Sequence, residues 1–222
     1  MARLLLFLSV TLSFLSCDLK SANDYFAEAE KLEQQQKYTE AIAILDKAIS
    51  KDNKFIGAYI NRGADKSAIG DFKGAIADYK KVISFDPKNT LAYFNIGNNL
   101  KRIDDNRAAV DFYNEAFNTK GGDGLYLDLK PNSIMDLSSF DVPGYAIYYE
   151  RGIALYLIDS LQKAYSDFQN CIKENFMVAE SDYWIGNILL TKGMKDKACE
   201  YYIKAKLLGD KDAENNIQKY CN

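Results

Sequence analysis

The side chains best suited to chemistry in this chain of 222 residues are four cysteines and 31 carboxylates, because the sequence contains no histidine. Without histidine, the chain can form neither a Ser-His-Asp triad nor a Cys-His pair, and the common histidine-bearing zinc sites are excluded. The sequence also lacks the GxxxxGK phosphate loop, the GxSxG nucleophile elbow and the HExxH zinc motif. We therefore expect a protein that is not an enzyme and that holds neither a cofactor nor a metal.

The charges of the chain nearly balance, since 28 Lys and Arg residues stand against 31 Asp and Glu residues, for a formal net charge of −3. A nucleic-acid-binding protein should show a basic stripe, so we expect no nucleic acid partner. The pair Asp104 and Asp105 is predicted to lie in a turn, where solvated caps are commoner than acid/base dyads. The other carboxylates are expected on outer helix faces, in contact with solvent.

Cys17 ends an N-terminal apolar stretch. The run 4–15 would span about 18 Å as a helix, short of a bilayer core of roughly 30 Å, and such a run is typical of a signal peptide. Residues 14–17, Phe-Leu-Ser-Cys, resemble a lipobox, the motif whose cysteine receives a lipid. We interpret residues 1–16 as a lipoprotein signal peptide and Cys17 as the site of lipid attachment. The alternative is an ordinary secretory signal with an incidental cysteine.

Lipidation at Cys17 would leave residues 17–21 as the lipidated N-terminus and a short polar tether. This interpretation predicts an exported protein that is anchored in the membrane of a bacterial cell envelope. The array of residues that follows would face the periplasm or the cell surface, and the sequence does not distinguish the two leaflets or membranes.

The remainder of the chain is organised by a regular period in two series of small residues. Successive members of each series are thirty-four positions apart, except for one interval of fifty-five. The first series is Ala41, Ala75, Ala109, Ala164 and Ala198, and the second is Ala29, Gly63, Gly97, Gly152 and Gly186. Because both series lengthen at the same place, an insertion of about twenty-one residues must interrupt an otherwise regular repeat.

A period of about 34 residues in paired helices resembles the tetratricopeptide repeat family. We number each unit so that its small residue of the second series is position 8. The family pattern places a bulky residue at position 4, here Tyr25, Tyr59, Tyr93 and Tyr148, with Asp182 departing from it. It places an aromatic residue at position 24, here Leu45, Tyr79, Tyr113, Phe168 and Tyr202.

The resemblance implies an all-α fold, a right-handed α-solenoid of about five helix-turn-helix units. Units 1–3 would occupy residues 22–123 and units 4–5 residues 145–212, with the insertion at 124–144 and a capping helix at 213–222. Second helices are expected to begin at Tyr38 and Phe72. Glycine inside a helix costs about 1 kcal/mol relative to alanine, so its recurrence at position 8 predicts a close approach of helix backbones.

The family resemblance also implies a concave groove that is lined by the first helix of each unit and binds a peptide or a helix. Position 5 of the five units would place these side chains in the groove: Phe26, Ile60, Phe94, Tyr149 and Tyr183. Position 9 would add Asn98 and Asn187, and the end of the third unit would add a basic spot, Lys101 and Arg102. Tyr149 and Tyr183 could equally belong to the core, since helical spacing does not separate the two placements.

The leading functional hypothesis is therefore a scaffold or adaptor that binds another envelope protein or a peptide. The alternative is a receptor for a small ligand or oligopeptide that the 124–144 insertion covers. The insertion would act as a lid or wall of the groove, or would only cover the ends of units 3 and 4. A catalytic role through Asp128, Asp136 and Asp141 is disfavoured, because no nucleophile, base and oxyanion donors converge there.

Three cysteines lie within the repeats. Cys171 occupies position 27, a small core position, and is predicted to be a buried thiol. Cys199 begins a second helix and Cys221 ends the antiparallel cap, so a disulfide between them is compatible with export. The sequence does not fix their relative orientation, and we leave the pairing open here.

Overall fold

The computed structural model describes residues 19–119 and 142–221, and all regular secondary structure in these residues is α-helical. The bounds of the eleven helices are α1 Ala22–Gln34, α2 Tyr38–Lys51, α3 Ile56–Ala68, α4 Phe72–Phe85, α5 Thr90–Arg102, α6 Asn106–Thr119, α7 Gly144–Leu157, α8 Leu161–Lys173, α9 Val178–Thr191, α10 Lys195–Leu207 and α11 Asp212–Tyr220. None of these helices is long and apolar enough to cross a bilayer. The predicted starts of two second helices, at Tyr38 and Phe72, are confirmed.

The helices form a solenoid in which each one packs on the helix before it and the helix after it. Helices α1, α3, α5, α7 and α9 are the first helices of five pairs, and α2, α4, α6, α8 and α10 are the second helices. First helices of neighbouring units also touch along one side, as α5 does with α7 and α7 with α9. The predicted all-α solenoid of five units with a C-terminal cap is confirmed.

The glycines at position 8 are explained by an aromatic ring rather than by a neighbouring backbone. A Cβ atom added to Gly97 would lie 2.6 Å from the ring of Tyr113, and the same atom on Gly186 would lie 2.6 Å from Tyr202. Gly63 and Gly152 meet Tyr79 and Phe168 at 2.9 and 3.0 Å, respectively. The expectation of a backbone–backbone contact is therefore wrong in its detail, because the ring at position 24 fills the space that a side chain at position 8 would take.

The first unit, which has neither the glycine nor the ring, supports this interpretation. Its position 8 is Ala29 rather than glycine, and its position 24 is Leu45 rather than an aromatic residue. Both side chains are fully buried in one cluster. A smaller side chain on the second helix thus leaves room for one methyl group on the first helix.

The turn between the two helices of each unit uses one residue with a left-handed backbone. These residues have φ between 59° and 86°, and all five stand at position 15: Gln36, Gly70, Asp104, Asp159 and Gly193. The next residue donates its N–H to the carbonyl five residues earlier, as Asp71 does to Lys66 at 2.8 Å. This is the Schellman arrangement, which satisfies carbonyls at the end of the first helix and reverses the chain.

Several predicted features fall on residues outside the described ranges. They are the signal peptide, Cys17, and all but the last three residues of the 124–144 insertion, including Asp128, Asp136 and Asp141. The described part resumes at Val142, which is buried against the core of the central units, and α7 begins at Gly144.

Candidate partner-binding groove

The aromatic residues at position 5 form a row on the first helices, and each ring rests on a second ring. The centroid of Phe94 lies 5.9 Å from that of Tyr113, and Tyr183 lies 6.0 Å from Tyr202. Tyr149 meets the edge of Phe168 at 6.2 Å. Phe26 follows the same scheme with a different partner, Phe55, at 5.0 Å.

All four rings of this row are half-buried, so each has one part in the core and one part on the surface. The two placements left open for Tyr149 and Tyr183 are therefore not exclusive. Burial raises the pKa of Tyr149 to about 12, which keeps its hydroxyl protonated. We call Phe26, Phe94, Tyr149 and Tyr183 the aromatic row.

Ile60, the fifth residue predicted at this position, is only 5% exposed and packs in the central core cluster. It has almost no surface to offer a partner, so the aromatic row is interrupted at the second unit. The neighbouring position 9 in that unit is Ala64, which is exposed and small. The row is therefore broken by a shallow stretch of surface between Phe26 and Phe94.

The two asparagines predicted to line the groove are hydrogen-bonded to buried rings. Tyr113 Oη donates to Asn98 Oδ1 at 2.8 Å, and Tyr202 Oη donates to Asn187 Oδ1 at 2.8 Å. Asn187 also accepts from Asn216 Nδ2 of the capping helix at 3.0 Å. These carbonyl oxygens are therefore engaged in holding the fold.

A series of contacts joins the first helix of one unit to the first helix of the next, always between position 12 and position 6. In the first junction Asn61 Nδ2 donates to Glu33 at 3.1 and 3.3 Å. In the third junction Lys101 forms an ion pair with Glu150. In the fourth junction the rings of Tyr156 and Trp184 meet edge to face, with centroids 5.1 Å apart. We call these three the junction pairs.

The junction pairs were not predicted from the sequence, although their spacing is regular. The pairs Glu33–Asn61 and Tyr156–Trp184 are each separated by 28 residues, and Lys101–Glu150 by that distance plus the insertion. As a result, the two residues of the predicted basic spot, Lys101 and Arg102, have different environments. Lys101 is neutralised by Glu150, whereas Arg102 is exposed and lies 5.4 Å from the ring centroid of Phe72.

Comparison with known proteins agrees with this geometry. Residues 68–103 match the family model described as a TPR repeat, and residues 179–208 match the model described as a tetratricopeptide repeat. The described chain folds as a tetratricopeptide-repeat solenoid. A search of curated proteins finds no match.

Solved structures with the tetratricopeptide fold are similar to this chain over most of its length. YrrB, described as "a TPR protein with an unusual peptide-binding site", is 20% identical, with a TM-score of 0.70 over 90% of this chain and 92% of its own. MamA from Desulfovibrio magneticus RS-1 is 16% identical, with a TM-score of 0.71 over 84% and 94%. A second MamA structure is 21% identical, with a TM-score of 0.68 over 90% and 94%.

Two tetratricopeptide units contain a buried ion pair whose carboxylate was expected to contact solvent. Arg151 donates to both carboxylate oxygens of Asp167 at 2.8 Å, and Arg62 binds Asp78 in the same bidentate way. Lys66 adds a second cation to Asp78 at 2.8 Å. The expectation that carboxylates lie on outer faces is wrong for these two, because an arginine on the paired helix, 16 residues earlier, accompanies each into the interior.

The cysteines of the last two units have different environments. Cys199 and Cys221 are joined by a disulfide, with their Cα atoms 5.7 Å apart, which fastens α11 to the last tetratricopeptide unit. Cys171 is a free, buried thiol whose pKa is raised to about 12 by burial, so it stays protonated and unreactive. Within the described residues no cluster of three metal-ligating side chains occurs.

Proposed function

We propose that this protein is a non-catalytic scaffold that binds a peptide or a helix of another envelope protein in the groove of its tetratricopeptide array. Tetratricopeptide repeats bind protein partners, and the observation that supports this site is the aromatic row. Aromatic residues are enriched at protein interfaces, and Trp and Tyr are among the residues that most often dominate their binding energy.

The packing of the row favours tight binding, because its rings are held before a partner arrives. Each ring rests on another ring, as Phe94 does on Tyr113 and Tyr149 on Phe168. A partner that covers them therefore has little side-chain freedom to remove, and that freedom is a main cost of association. The likeness to YrrB, which is described as having a peptide-binding site, adds support for a peptide as the occupant.

We also propose that a lipid on Cys17 holds the array at the membrane. Helix α1 begins at Ala22, and its first turn is fixed by a capping box between Ser21 and Asp24. Only four residues would separate Cys17 from the helix, so the tether could reach roughly 14 Å at full extension. The first unit would then lie next to the bilayer surface.

Site-specific photo-cross-linking in intact cells tests the groove. A photoreactive residue at Arg102, on the end of α5, should join the array to a partner, whereas one at Lys80, exposed on α4, should not. Phe94→Ala combined with Tyr149→Ala should abolish the cross-link from position 102. The matched control, Phe112→Ala with Tyr165→Ala, removes two half-buried rings from second helices and should retain it.

The outcomes of these experiments test the proposed groove and the proposed lipid anchor independently. Cross-linking that survives the loss of Phe94 and Tyr149, in a protein that still unfolds cooperatively, would refute the groove assignment. Cys17→Ser should release the protein from membranes while leaving the purified array able to bind its partner. Membrane association that persists in Cys17→Ser would refute the lipid anchor alone.

A further inference from the structure

We propose that the N-terminal end of the groove, between α1 and α3, contains a pocket for one lysine or arginine side chain of the bound peptide, formed by Glu33, Asp65 and Glu30. This inference rests on the proposed peptide-binding function and adds the chemistry of one residue of the ligand. We call these three carboxylates and Asn61 the acidic pocket.

The position of the pocket follows from one hydrogen-bonded pair. Asn61 Nδ2 on α3 donates to both carboxylate oxygens of Glu33 near the end of α1, at 3.3 and 3.1 Å. Asp65 stands one helical turn after Asn61, so its side chain projects from the same side of α3, toward Glu33. Glu30 lies one turn before Glu33 on α1 and is half-buried.

The burial of Asp65 without a full set of hydrogen-bond partners is the observation that points to a ligand. This residue is 3% exposed, and its Oδ2 atom is buried without a hydrogen-bond partner in the described part of the chain. Such a group costs free energy unless a donor reaches it. Arg62 and Lys66, its neighbours along α3, both bind Asp78 of α4, and Arg62 also binds Asp46 of α2.

The electrostatics of the pocket call for a positive charge. Burial and, to a lesser extent, the negative charge of Glu33 together raise the pKa of Asp65 to about 7. Burial likewise raises the pKa of Glu33, although Asn61 opposes this, and Glu30 adds to the rise. A single cation placed among these carboxylates would offset the repulsion that Glu33 exerts on Asp65 and that Glu30 exerts on Glu33.

The second unit also differs from the third and fifth units in its residue at position 9. Its position 9 is Ala64, whereas the third and fifth units have Asn98 and Asn187 there, each bonded to the tyrosine hydroxyl of its own unit. The corresponding ring is Tyr79, whose pKa is raised by burial, by Asp78 and by Asp65. A tyrosine hydroxyl near Asp65 therefore lacks the asparagine that engages its equivalents.

A side-chain cation fits this arrangement better than a metal ion does. Metal ions require several oxygens at about 2.0–2.6 Å from one point, and no group of three carboxylates among the described residues is close enough together to hold one. An ammonium or guanidinium group makes its hydrogen bonds at about 2.8 Å in several directions. It can therefore bridge Glu33 and Asp65 without bringing them into contact.

Selection from a displayed library of random twelve-residue peptides tests the pocket on the full chain. Peptides selected by the wild type should share a lysine or arginine at a fixed distance from aromatic or aliphatic positions. The variant Glu33→Gln with Asp65→Asn should select peptides that keep the apolar positions and lose the basic one. The control Glu40→Gln with Asp111→Asn removes two exposed carboxylates from second helices and should select as the wild type does.

The affinity for one selected peptide then measures how much its basic residue contributes to binding. Replacing its basic residue by norleucine should weaken binding to the wild type at least tenfold in fluorescence anisotropy, and should change binding to Glu33→Gln with Asp65→Asn less than twofold. Selected peptides without a shared basic position, or an unchanged preference in that variant, would overturn the pocket while the groove stands. Selection of no peptide by the wild type would overturn the groove and the pocket together.

Discussion

The hydroxyl of Tyr113 donates a hydrogen bond of 2.8 Å to the side-chain oxygen of Asn98, which joins a buried ring of α6 to the groove side of α5. Tyr202 and Asn187 repeat this bond two units later. Burial raises the pKa of Tyr113, so the hydroxyl remains a donor at all physiological pH values. Part of the proposed groove is thus built from residues that also stabilise the fold.

The first prediction concerns this hydrogen bond. Asn98→Ala should lower the free energy of unfolding by about 1–2 kcal/mol, because the Tyr113 hydroxyl loses its partner in the interior. Adding Tyr113→Phe should recover part of the loss, since no polar group is then left unpaired. Urea unfolding of the two single variants and the double variant measures the coupling. Strictly additive losses would contradict the bond.

The second prediction concerns the glycine–ring contacts. Gly97→Ala should destabilise the protein by about 2–3 kcal/mol, because its Cβ would lie 2.6 Å from the fully buried ring of Tyr113. Tyr113→Leu in the same chain should relieve the clash and reproduce the pairing of Ala29 with Leu45. Gly57→Ala is the control, as its Cβ would meet only ordinary contacts at 3.4 Å and longer. A destabilisation of equal size at Gly57 would show that helix geometry, not the ring, is responsible.

The third prediction compares the two buried ion pairs. Arg151→Ala should cost about 3 kcal/mol, because Asp167 loses the cation that binds both of its oxygens. Arg62→Ala should cost less, since Lys66 remains bound to Asp78 at 2.8 Å. Thermal and urea unfolding of both variants check the order. Equal losses would indicate that Lys66 contributes nothing to the pair.

The fourth prediction is a dependence of stability on pH. The pKa of Asp65 is about 7 in the folded protein and about 4 in an unfolded chain, so the folded state binds the extra proton between these values. The contribution of Asp65 to stability therefore falls as the pH rises from about 4 to 7. Asp65→Asn should flatten this slope and be more stable than the wild type at pH 8, by roughly 1–3 kcal/mol.

Urea unfolding at several pH values between 5 and 8 measures that slope. Asp111→Asn, which changes an exposed carboxylate of α6, should leave the wild-type profile in place. Parallel profiles for the wild type and Asp65→Asn would contradict the raised pKa of Asp65.

The fifth prediction concerns the cap. Reduction of the disulfide between Cys199 and Cys221, which are 22 residues apart, should lower stability by about 3 kcal/mol in the chain-entropy description. The loss should be local, because each unit of a solenoid contacts only its neighbours. Hydrogen exchange should accelerate in α10 and α11 and stay unchanged in the first two units. Cys221→Ser should behave as the reduced protein does and show no response to reductant.

The period of the sequence predicted much of this fold, because a residue that must be small recurs wherever the same contact recurs. The spacing of Gly63, Gly97, Gly152 and Gly186 defined the units and located the insertion. It did not reveal what the glycines meet. Identifying the contact requires knowing that position 24 of the second helix lies opposite position 8 of the first. The sequence contains one signal of this pairing, because the first unit has Ala29 and Leu45 where the other units have glycine and an aromatic residue.

The polar contacts were harder to predict, because periodicity places a residue on a helix but does not identify its partner. Asp167 and Asp78 are buried only because an arginine lies opposite each, and Lys101 is neutralised only because Glu150 follows the insertion. The recurrence of Arg and Asp at one fixed spacing would have indicated the buried pairs. Nothing comparable marked Gln36, which takes the left-handed turn conformation that Gly70 and Gly193 adopt without steric strain.

The junction pairs have a consequence for the order in which the units assemble. Contacts inside a unit are nearly interchangeable, since a glycine and a ring meet in four of the five. The junctions differ, with a hydrogen bond at Glu33, an ion pair at Lys101 and two rings at Tyr156. A chain that docked its units out of sequence would set Lys101 or Glu33 against Trp184. The junctions thus discriminate against misregistered and domain-swapped forms, to which arrays of similar repeats are prone.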